Sequence, residues 1–169
     1  MANAMDVADY IIYKAKDYGM VSNLQLQKIM YFLNAKKLVV DNEPLVDEPF
    51  ERWDYGPVVR SVYTEYSMNG GKKIPAPENH IMFDENQELV EKKFDVNELK
   101  IDTENKKFID KYIDFLVKIN PFDLVDKSHE ENQWNDLGPN MAYSDNETIK
   151  FYRNKFKKGE QMKWLSPRP

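Results

Sequence analysis

A chain of 169 residues, 41% hydrophobic and 13% aromatic, is long enough for one domain with a sizeable apolar core. No cysteine and only two histidines exclude disulfides and thiolate metal sites; no run of about 18 apolar residues could span a membrane, and no signal-peptide pattern opens the chain, so a cytoplasmic location is expected. The net charge of −5 is uneven: seven Lys/Arg (Lys150, Arg153, Lys155, Lys157, Lys158, Lys163, Arg168) face Glu160 alone at the C-terminal end, leaving residues 1–149 with 17 Lys/Arg against 28 Asp/Glu, a net −11 that argues against a nucleic-acid groove over most of the surface.

The first helix is expected from Ala4 to Tyr18. Asn3 fits its N-cap, Ala4, Val7, Ala8, Ile11, Ile12, Ala15 and Tyr18 share one face, and Gly19 ends it. The second opens at Ser22 and runs to about Val40, with Asp41-Asn42 as the exit. Leu26, Ile29, Met30 and Leu33 form one stripe, and Leu24, Tyr31, Ala35 and Leu38 another on the far side. Two readings follow: a helix apolar on both faces is central and buried, or the second stripe, edged by Gln27 and Lys28, meets a partner.

"PLVDEPFERW" reads as a small hairpin turning around Asp47–Pro49. In "YGPVVRSVYTEY", Gly56 fits an N-cap and Pro57 the first helical position, with Val59, Val62, Tyr63 and Tyr66 on one face. This third helix stops before Asn69-Gly70-Gly71. Residues 72–102 read as loop with a short strand, and with a short helix capped by Asp84. A further helix follows from about Glu104 to Ile119. Asn120-Pro121 opens a short one through Val125, Ser128 and Glu131 make a capping box for one through Trp134, and Ser144 and Glu147 make another for one to about Phe156. The fold class is mainly α: a compact single-domain helical bundle with a small β-hairpin between the second and third helices.

Catalytic material is sparse. "HEENQ" at His129–Gln133 starts like a zinc motif, but its second imidazole is replaced by Gln133, and His80 is the only other histidine. "NGGKK" lacks both the glycine five residues before Gly71 and the Ser/Thr after Lys72 that a phosphate loop requires. No catalytic residue, metal or cofactor is therefore expected, and the chain reads as a non-enzyme. His129 and Trp134 fit either a helix-end histidine beside a core tryptophan or a polar-aromatic recognition patch.

Three stretches taken together resemble the Panacea domain, the family of phage-associated GepA proteins and SocA-like antitoxins. They are "LQLQKIMYFLNA" with Gln27, Lys28 and Tyr31, the corner Tyr55-Gly56-Pro57-Val58, and the helix start Ser128-His129 with Trp134. The resemblance runs from about residue 5 to 157, which sets residues 1–157 as the domain and 158–169 as a basic C-terminal tail. It implies a cytoplasmic antitoxin that binds and neutralises a cognate toxin protein. It also implies alternatives: a proteolytic adaptor that delivers the toxin to a host protease, or a phage regulator of a host protein or of nucleic acid. A membrane partner is not expected, and nucleic acid is the least favoured of the others. Gln27, Lys28, Tyr31, Tyr55, Gly56, Pro57, His129 and Trp134 are the candidate partner-binding or family-motif residues.

Overall fold

The computed structural model describes residues 1–156, 158 and 160–165. About half of the chain is helical. The helices are α1 (Ala4–Ala15), α2 (Asn23–Asp41), α3 (Arg60–Glu65), α4 (Thr103–Val117), α5 (Pro121–His129), α6 (Asn132–Asp136) and α7 (Asp145–Tyr152). Two antiparallel hairpins interrupt them: β1 (Glu51–Trp53) with β2 (Gly56–Val58), and β3 (Asn79–Phe83) with β4 (Leu89–Lys93). The first lies where a hairpin is expected, between α2 and α3. No helix of the described residues is long and apolar enough to cross a membrane.

Local chemistry sets the helix starts where it is strongest. The Asn3 side chain accepts from the Met5 and Asp6 amides, Ser22 from Gln25, Asp102 from Asn105, and Asn120 from Phe122 ahead of Pro121. At the end of α2, Asn42 takes the left-handed conformation at φ 59°.

α2 is the axis of the molecule. α1, α3, α4, α5, α7 and β2 all pack on it, and its residues are buried almost without interruption from Gln25 to Leu38. Both of its apolar stripes are therefore core, except Leu24, which is half-buried at the start of the second. Truncating Leu33, which is fully buried, would cost about 2–5 kcal/mol. An aromatic cluster extends the core, with Tyr31 in edge contact with Phe32, Phe50, Tyr143 and Tyr152. The end of the chain joins it. Met162 and Leu165 are buried, and Trp164 packs on Phe32 and Phe156, so the stretch expected as a tail from residue 158 is tied to the body through Leu165. Lys157 and Arg168 of the basic end lie outside the described residues.

Several expected elements are corrected. The Gly56-Pro57 pair is strand, not helix start: Gly56 pairs with Trp53 and Pro57 with Arg52, and α3 begins at Arg60. The turn of this hairpin is Asp54-Tyr55 rather than Asp47–Pro49, because Val46 is engaged in a bridge to Ala2 instead. Asp84 caps no helix. Its carboxylate accepts from the Asn86 and Glu88 amides at the turn of the β3–β4 hairpin. Ser128 lies inside α5, its hydroxyl donating to the Val125 carbonyl, and the Glu131 side chain is drawn into the core, so no capping box forms there. α7 starts after Ser144 as expected, but without a side-chain cap, and it stops at Tyr152 rather than Phe156.

Candidate functional site

Lys28 sits at the centre of the corner between α2, α5 and the first hairpin. It is fully buried, and its ammonium donates to the Pro57 carbonyl at 2.8 Å. No carboxylate is paired with it among the described residues, and burial lowers its pKa to about 7. One residue earlier, the Gln27 side-chain oxygen accepts from the Val59 amide at 2.9 Å, fixing the residue that precedes α3. Gln27 in turn donates to Asn23, whose amide group donates to the Tyr63 carbonyl. The polar face of α2 thus orders both the strand and the helix that follow it.

Gly56 is required here twice over. Its φ is +90°, a conformation L-residues rarely adopt, and a Cβ at this position would lie 2.2 Å from the Ser128 hydroxyl and 3.2 Å from the Lys28 ammonium. β2 therefore approaches α5 and α2 as closely as backbone allows.

On the other side of the hairpin, the His129 ring stacks on Trp134 with centroids 3.7 Å apart and planes 17° from parallel. The Trp134 indole donates to the Trp53 carbonyl at 3.1 Å, and the Arg52 guanidinium lies 4.9 Å over its ring. His129 donates to the Asp54 backbone. Burial and then the nearby Lys28 charge hold its imidazole below the ordinary value, with Asp126 opposing them. Its Nε2 is buried without a hydrogen-bond partner.

Seven of the eight candidate residues thus meet around this one hairpin. Tyr31 does not. It is buried among the aromatics and donates to Glu131, whose carboxylate also accepts from Gln133 and Thr148. Burial raises the Glu131 carboxyl above its ordinary value, against the lowering effect of these hydrogen bonds. Lys28 and Tyr31 are accordingly internal supports, covered by α5, α7 and the first hairpin, while Gln27, buried as well, stands at the edge of that cover.

What the supported hairpin presents to solvent is an open depression of about 420 Å³. Leu24, Trp53, Val58 and Tyr63 wall it, while Tyr55 and Phe122 stand at its rim, 62% and 60% exposed. Trp53 and Tyr63 pack at 4.8 Å, and Arg60, paired with Glu51, lies over the Trp53 ring. Gln27 also lines the depression, so Tyr55 and Gln27 are the sequence-derived candidates that border it. Phe122 carries no signal in the sequence, since an apolar residue in a first helical turn reads equally well as core.

The family model described as "Antitoxin SocA-like, Panacea domain" matches residues 26–135, a span that holds all eight candidate residues. The chain belongs to this family. Antitoxin SocA of Caulobacter vibrioides (strain NA1000 / CB15N) is similar to this Panacea-domain chain, 42% identical over 73 residues. That alignment covers 43% of this chain and 39% of the relative. No solved structure matches the domain. The corner of Lys28, Gly56, Ser128, His129 and Trp134 is thus where the recognised motifs of this Panacea domain converge.

Proposed function

We propose that this chain is a cytoplasmic, non-enzymatic antitoxin that neutralises a cognate toxin by direct protein–protein binding, with the groove beside the first hairpin as a contact surface. Family membership supports the antitoxin role. The observation that carries the surface is the exposure of Tyr55 and Phe122 at the rim of a groove walled by Trp53 and Tyr63. Tyrosine, tryptophan and phenylalanine are the residues that interfaces enrich and that dominate binding energy when enclosed by a partner. The hairpin is also held from behind, so little ordering cost opposes binding.

The test is co-expression. The protein encoded beside this gene is expected to arrest growth alone, to be tolerated when this chain is present, and to co-purify with it. Tyr55→Ala and Phe122→Ala are expected to melt like wild type and to lose rescue. Rescue that disappears in a strain lacking its ATP-dependent proteases would favour a proteolytic adaptor over direct neutralisation.

A further inference from the structure

We infer that the β3–β4 hairpin is a second docking arm of this domain, whose partner is a basic cleft with apolar walls on the toxin; this rests on the antitoxin reading above. β3 and β4 form a two-stranded sheet of their own, so both strands have an unpaired outer edge. Phe83 pairs with Leu89, and Ile81 lies two residues before Phe83, so these three side chains share one face. They are 66%, 67% and 77% exposed. All described side chains of β3 and all of β4 are exposed, so this apolar face has no cover.

Charge identifies the occupant. The arm carries Asp84, Glu85, Glu88 and Glu91, gathered at its turn and on β4, against Lys92 and Lys93 at its base, where Lys92 is paired with Glu98, so its outer end is anionic. An anionic arm is repelled by nucleic-acid phosphates and by acidic lipid headgroups, and drawn to a basic protein surface. The Phe94 amide donates to the Glu78 carbonyl at 2.9 Å, extending the hairpin by one rung, and the Phe94 ring packs on Tyr13 of α1 at 5.7 Å, joining the base of the arm to the body.

The experiment titrates the purified product of the adjoining gene against the full chain at low and high salt. One variant combines Asp84→Asn, Glu85→Gln and Glu88→Gln, since Asn preserves the acceptor that the turn uses. A second combines Phe83→Thr and Leu89→Thr, retaining strand-forming side chains. Thermal melts of both are expected to match wild type. The charge variant is expected to bind about tenfold more weakly at low salt, with the gap closing as salt rises. The apolar variant is expected to lose roughly thirtyfold at either salt. If wild type binds and both variants bind equally well with the same salt dependence, the arm's role is overturned while the antitoxin reading stands. If wild type alone dimerises through the arm, and the apolar variant is monomeric, the occupant is a second copy and the proposal fails. If wild type does not bind the adjoining product at all, the antitoxin reading fails and the arm's role with it.

Discussion

Two antiparallel hairpins leave the helical body, and they differ in what holds them. β1–β2 is six residues of strand pinned by the Lys28 ammonium, the Gln27 side chain and the Trp134 indole, with Gly56 pressed against Ser128. β3–β4 is longer and, among its described side chains, meets the body at its base, with Ile81, Phe83 and Leu89 in solvent. Hydrogen-bonded length therefore says little about rigidity; the side chains that grip a hairpin from neighbouring helices decide it. A gripped hairpin positions a surface, and an ungripped one reaches away from the body.

The largest break in this contrast is Gly56→Val. Left-handed backbone strain and the clash with Ser128 are each worth about 1–3 kcal/mol, so a loss of about 2–6 kcal/mol and roughly 10 °C in thermal midpoint is expected. Adding Ser128→Ala should restore part of it; a double variant no more stable than the single would remove the close contact from the account.

Next comes the pH dependence that Lys28 imposes. Its pKa is near 7 in the fold and 10.5 when unfolded, so the unfolded chain binds the extra proton between these values. Stability from this group is complete above the unfolded pKa and falls away as pH drops toward 7. Wild type should therefore gain stability from pH 7 to 9.5, by at most about 1.4 kcal/mol per pH unit, and Lys28→Met should flatten that rise in urea titrations. Above about pH 10 the raised pKa values of Tyr31 and Tyr152 act the other way, because the unfolded tyrosines ionise first.

Tyr55→Ala and Phe122→Ala probe the outer surface of the gripped hairpin. Each should change stability by no more than about 0.5 kcal/mol while weakening toxin binding, measured by calorimetry beside a melt. The smallest stability effect belongs to the arm: Phe83→Thr with Leu89→Thr should leave the melting curve in place. A clear fall in midpoint would show that the arm packs on the body after all.

The sequence made legible what local chemistry decides. Asn3, Ser22 and Asn120-Pro121 announce helix starts because their side chains or rings satisfy the first turn without outside help. Gly56-Pro57 misleads because the same pair suits a helix entry and a strand at φ +90°, and Lys28 and Gln27, about thirty residues earlier, choose between them. Ser128 and Glu131 have the spacing of a capping box, yet Tyr31, Gln133 and Thr148 take the carboxylate. In the candidate site the motif residues do gather, but burial makes Gln27 and Lys28 supports, and Phe122, exposed at the rim of the groove, follows no local pattern. The β3–β4 arm was obscure because its Ile81–Phe83–Leu89 face is not buried, and periodic burial is the signal that strands usually leave.

The unpaired edges of that arm bear on colloidal behaviour. A flat strand edge beside exposed Phe83 and Leu89 is a template on which a neighbouring copy could extend the sheet. Asp84, Glu85 and Glu88 crowd the turn at the tip of that template in every copy, so like charge meets like charge when two tips approach. The carboxylates that would recognise a basic surface thereby also act as gatekeepers against self-assembly, and an arm stripped of them would exchange selectivity for aggregation.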